Sequence, residues 1–132
     1  MTIAVAHQVS TIARTVLLQA VQEATYRSTD LAVLHVVDSV DPDREEAYRL
    51  GVSDEIEKLV GREPSVDWKL HLAVADGDDR AGALLGLVEG IDPDLVVFGA
   101  RKRSPVGKAF LGSVAQTVIL EAGVPVLVVK AR

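Results

Sequence analysis

Apolar residues along this chain follow two alternating patterns. Short unbroken runs, TIAVA (2–6), LAVLHVV (31–37), DLVVFG (94–99) and VPVLVV (124–129), have the length and β-branched content of strands buried on both faces. Between them the apolar positions recur at helical spacing. Behind Ser10, a fair helix cap, Ala13, Val16, Leu17, Ala20, Val21 and Ala24 make one stripe. Pro42 with the Asp43/Glu46 pair reads as a second helix start with a capping box. Gly51 is expected to interrupt that helix, and Val52, Ile56, Leu59 and Val60 carry its stripe on to Gly61. Two further helices are expected, over 79–89 and 112–122.

One segment departs from the buried-strand pattern. In VDWKLHLAV (66–74), Val66, Trp68, Leu70, Leu72 and Val74 alternate with Asp67, Lys69, His71 and Ala73. A period of two marks a strand with one face less covered, as at a sheet edge. Pro125 lacks an N–H and belongs at the start of another edge strand. The resulting order, β-α-β-α-β-α-β-α-β, predicts an α/β domain over 1–132 with an open five-stranded parallel sheet and helices on both faces. The common strand order 3-2-1-4-5 leaves the alternating third strand at an edge. It also places the reversal of order, where ligands bind such sheets, between the first and fourth strands.

Two loops face that crevice: AHQVS after the first strand, and GARKRSPVGKAFLGS after the fourth. The second concentrates Arg101, Lys102, Arg103 and Lys108 in a chain whose net charge is −5 and would be −9 without them. Gly99 allows a turn or a close approach of ligand to backbone. Gly112 and Ser113 open a helix whose unpaired N–H groups and positive dipole end favour phosphate. A solvated basic loop with ordinary turn glycines is the alternative reading.

Composition narrows the function further. At 132 residues and 48% apolar, the chain can bury a core, and its acidic balance argues against nucleic acid as a general partner. Without cysteine there is no disulfide or thiolate chemistry. No run approaches the ~20 apolar residues of a membrane span and the start lacks a basic signal region, so a cytoplasmic location is expected. His7, His35 and His71 lie on separate strands without metal-site spacing, so no metal centre is expected of them. Gly82, Gly86 and Gly90, at every fourth residue, read as a close-packing face of the third helix. No Walker loop, dinucleotide fingerprint, paired acids or catalytic triad stands at a defensible spacing, so no catalytic residues are assigned.

Gly99 and Gly112-Ser113, followed by VAQTVI and VPVLVVK, closely resemble the universal stress protein family, as do LHVVD (34–38) and Gly77 in VADGDDR. Nucleotide-binding members carry Gly, two residues, Gly, nine residues, then Gly-Ser or Gly-Thr. This chain has Lys102 at the middle glycine, Gln8 where an acid is usual after the first strand, and Asp79 where proline is common. If position 102 required positive φ, Lys would be strained there by ~1 kcal/mol or more. Its ammonium, conversely, is able to hold a phosphate. The resemblance implies an adenine nucleotide, ATP or AMP, touching Ala6, His7 and Gln8, the backbone of Val36, and Phe98 and Gly99. Lys102, Gly112, Ser113 and Val114 would cradle its phosphates, with Mg²⁺ accompanying ATP. It also implies a homodimer joined through the last strand. The alternatives are a dimeric interaction module with a cleft that is empty or holds another anion, and, less favoured, a slow ATP hydrolase with Asp38 as the one candidate metal ligand.

Overall fold

The first apolar run becomes β1 (Thr2–His7), in which Ile3 and Val5 enter one core and Ala4 another. This division repeats across the sheet and gives the molecule its layers. The computed structural model describes residues 1–8, 10–38, 41–61, 66–103 and 108–130, with 101–103 and 108–110 described by backbone alone. The remaining elements are α1 (Ala13–Tyr26), β2 (Asp30–Val37), α2 (Pro42–Val60), β3 (Trp68–Val74), α3 (Arg80–Ile91), β4 (Leu95–Arg103), β5 (Lys108–Phe110), α4 (Ser113–Glu121) and β6 (Val126–Lys130).

The five long strands form the expected parallel sheet in the order β3-β2-β1-β4-β6, the third and last at its edges. Leu17, Val21, Ile56 and Val60 from α1 and α2 join Ile3, Val5, Val33 and Val97 on one face. Leu84 and Val88 of α3 and Val118 of α4 meet Ala4, Leu34, Val96 and Phe98 on the other. Burial of apolar area at roughly 25 cal/mol per Å² drives both layers together.

Local details depart from the sequence expectations. Ser10 is not the cap of α1: the helix starts after Ile12 with no side-chain cap, and Ser10 contributes only its carbonyl, which accepts from the Ala13 N–H at 3.3 Å. The second helix is capped by Asp41, whose side chain accepts from the Asp43 N–H, and it runs through Gly51 without a break. Gly51 is exposed and the stripe that follows it, Val52, Ile56 and Val60, is buried, so packing of that half outweighs its low propensity. Gly82, Gly86 and Gly90 are not a packing face. A Cβ at Gly86 or Gly90 would meet nothing within 4 Å, whereas one at Gly82 would collide with the Asp79 carboxylate that caps α3.

The largest difference follows the fourth long strand. Expected to end at Gly99, it continues to Arg103 and pairs antiparallel with β5: Arg101↔Phe110, Lys102↔Ala109, Arg103↔Lys108. The paired segments RKR and KAF are three residues each and carry three cations in the first and one in the second, so no apolar periodicity in the sequence marks them as strands.

Candidate functional site

The crevice opens because two strand pairings end at different heights. β1 stays paired with β2 up to His7↔His35, but its pairing with β4 stops at Val5↔Val97. β4 meanwhile remains with β6 up to Ala100↔Lys130. Ala6 and His7 therefore part from Phe98 and Gly99, and a cavity of about 280 Å³ lies between them. That is close to the ~300 Å³ lower end of small-molecule sites.

Two helix starts border this cavity without side-chain caps. α4 begins after Gly112 (φ −66°, ψ 162°), and Gly112, Ser113, Val114 and Ala115 all line the cavity. The first amides of a helix have no intrahelical acceptor, so this end presents N–H donors and the positive pole of the helix. A Cβ at Gly112 would enter open space. Ile12 and Ala13, at the start of α1, border the cavity as well. α3 differs in having its amide of Gly82 satisfied by Asp79.

Gly99, which lines the cavity, also has a packing role that the sequence did not show. A Cβ there would come within 2.6 Å of Val16 Cγ2 and 2.9 Å of Ile12 Cδ1. Its missing side chain makes room for the first turn of α1 to lie across β4, which seats that helix start at the cavity.

His7 and His35, opposite each other in register, meet with their Nδ1 atoms 3.0 Å apart. His35 Nδ1 also lies 3.1 Å from the His7 carbonyl oxygen, which can only accept. The hydrogen-bond network thus assigns a proton to His35 Nδ1 and leaves His7 Nδ1 as acceptor. His7 then carries its proton on Nε2, which is buried and has no partner among the described residues. Burial, followed by repulsion from His35, lowers the His7 pKa from 6.5 to about 4. Burial also lowers that of His35, partly opposed by its bond to the His7 backbone. Both rings are neutral near pH 7.

Of the residues named from the sequence, Ala6, His7, Gln8, Val36, Phe98, Gly99, Gly112, Ser113 and Val114 all border this one cavity. Lys102 occupies an extended position in β4 opposite Ala109, where a lysine is not strained; its side chain lies outside the described residues, as do those of Arg101, Arg103 and Lys108. Sequence reasoning missed Arg80. It stands at the start of α3, lines the cavity, donates from Nη1 to Asp38 Oδ1 at 2.7 Å and from Nη2 to the Val36 carbonyl at 3.0 Å. In the sequence it is one charge in the turn-like run DGDDR, 42 residues from Asp38, and only the crossover brings the two together.

The sheet order, the crevice at its reversal and the open helix starts around it define a doubly wound α/β protein with a cleft beyond the strand ends, where proteins of this class bind ligands. Within that class the chain belongs to the universal stress protein family, which matches it over residues 1–130. A universal stress protein of Mycolicibacterium smegmatis is 32% identical, over 97% of this chain and 96% of its own. Among solved structures, a universal stress protein from Archaeoglobus fulgidus superposes with a TM-score of 0.76 at 30% identity, over 97% of both chains. A second structure from Archaeoglobus fulgidus, in complex with dAMP, has a TM-score of 0.72 at 24% identity, covering 97% of this chain and 96% of its own.

Proposed function

We propose that the cleft binds an adenine nucleotide, AMP or ATP, and that the protein acts in the cytoplasm as a sensor or regulator rather than as a catalyst. The observation that carries this reading is the cavity's composition. An uncapped helix start with an open Gly112 borders it, and apolar residues from β1, β2, α1, α3 and β4 supply much of the remaining lining. A phosphate suits the first and a flat heterocycle the second. The dAMP held by the archaeal family member supports the same ligand class.

Gln8 and the His7 Nε2–H add neutral hydrogen-bonding groups suited to a ribose. ATP would bring Mg²⁺ with it. Asp38, the carboxylate considered for that ion, is engaged by Arg80, which favours a regulatory role over hydrolysis. The nucleotide-bound protein is proposed to work as a homodimer through β6, which has β4 as its one strand neighbour among the described residues. An interaction module with no nucleotide is the competing reading, supported by Gln8 in place of the usual acid.

Calorimetric titration with AMP and ATP, together with mass spectrometry of the protein as purified, tests the proposal. Saturable binding or carried-over nucleotide is the expected result. An empty protein that takes up neither at millimolar concentration would leave the interaction module.

A further inference from the structure

His7 lines the cavity and is only 4% exposed, yet its Nε2 has no partner among the described residues. Proteins pair nearly all their buried donors, because a lost partner leaves the full desolvation penalty behind. In the wall of a cleft, the partner such a group calls for is an atom of the ligand.

The neighbouring strand sets the direction of this donor. The imidazoles of His7 and His35 meet by their Nδ1 ends, 3.0 Å apart, with ring centroids at 5.1 Å. His35 Nδ1 also donates to the His7 carbonyl oxygen, which fixes it as the donor of the pair. Nδ1 of His7 therefore faces β2, and Nε2, across the ring, is turned away from it. β4 flanks β1 on that other side, where their pairing has stopped at Val5↔Val97 and the cavity opens.

Sheet alternation separates this donor from the α4 start. His7 continues the face of Ile3 and Val5, which pack with α1 and α2. On the same face His35 meets Tyr48 of α2, with ring centroids 6.2 Å apart. α4 packs on the opposite face. The cavity reaches both, bordered by Ile12 and Leu17 from one and by Leu84 and Ala115 from the other. A nucleotide with its phosphate at α4 therefore meets His7 with its nucleoside. Burial keeps the ring neutral near pH 7, which suits a neutral oxygen or ring nitrogen as the acceptor.

We propose that His7 Nε2–H donates to an acceptor of the bound nucleoside, and that His35 is the positioning residue that aims it. The inference rests on the nucleotide reading of the cleft and adds the group that holds the nucleoside end.

AMP and adenosine share the nucleoside and differ in the phosphate, so titrating both separates the two ends. His7→Leu should weaken both by the same factor, roughly tenfold for one hydrogen bond. His7→Gln, which keeps an N–H donor, should recover most of that loss. His35→Leu keeps His7 but frees its ring, and should weaken both ligands by a smaller, equal factor. Thermal melts establish that each variant is folded. Heteronuclear NMR of the wild-type histidine rings adds a readout that packing alone would not move. His7 should carry its proton on Nε2, and saturating AMP should shift that N–H signal and slow its exchange with water. Unchanged affinity in either leucine variant, a signal unmoved by bound AMP, a proton found on Nδ1, or a loss confined to AMP would overturn the proposal while leaving nucleotide binding intact. Failure of the wild-type protein to bind AMP or adenosine would overturn it together with the nucleotide reading.

Discussion

Replacing Gly112 by Asp tests the anion site while sparing the fold. The residue has φ −66° and ψ 162°, ordinary extended backbone, and a Cβ there would meet nothing within 4 Å. Aspartate is also a good N-cap, worth a few tenths of a kcal/mol over glycine, so the melting temperature should hold or rise slightly. Binding should not survive. The new carboxylate would take the amides that otherwise serve a phosphate, removing charge-assisted bonds worth ~1.5–3 kcal/mol each. Its repulsion of a phosphate ~4 Å away adds roughly 1 kcal/mol in a water-like medium and about 4 in a partly screened one. One such bond and the repulsion together amount to about 2.5–7 kcal/mol, roughly two to five decades in affinity for AMP or ATP. Calorimetry measures this directly, with adenosine as the control because it lacks the phosphate. Undiminished AMP binding in a folded Gly112→Asp protein would refute the placement of the phosphate. Equal loss of adenosine and AMP would show that the substitution had merely reshaped the cleft.

Three other outcomes follow from the packing and the buried histidines. Gly99→Ala should destabilise the protein by about 1–3 kcal/mol, since the added methyl collides with Val16 and Ile12; a urea midpoint equal to wild type would disprove that contact. Gly86→Ala, on an exposed helical position with open space, should instead stabilise by roughly 0.5–1 kcal/mol in the same assay, and a loss of stability would show a hidden neighbour. The folded-state pKa of His7, about 4, lies below its reference value of 6.5, so on acidification the unfolded chain takes up the proton first. Stability from this group is complete above pH 6.5, falls between 6.5 and about 4, and the fall totals roughly 3 kcal/mol. His7→Gln should flatten that part of the pH–stability curve measured by denaturant titration; an identical slope would mean His7 is solvated.

Hydrophobic spacing by itself determined the succession of strands and helices, and through the rules of parallel sheets the strand order and the place of the crevice. It could do so because β1, β2 and β4 are buried on both faces, and double burial writes unbroken apolar runs into the chain. The alternation in 66–74 likewise marked β3 as an edge. Glycine and serine at 112–113 marked an open helix start, a local property of backbone conformation. Relations between distant residues were left to the tertiary structure. Arg80 reaches Asp38 and Val36 only because α3 crosses back over β2, and the two histidines are hydrogen-bonded only because their strands align in register. Gly99 is small on account of a helix more than eighty residues earlier. Hydrogen bonds and steric exclusion act over a few ångströms in space whatever their separation along the chain. The open helix start at Gly112 could therefore be read in advance, and the pairing of Arg80 with Asp38 and Val36 could not.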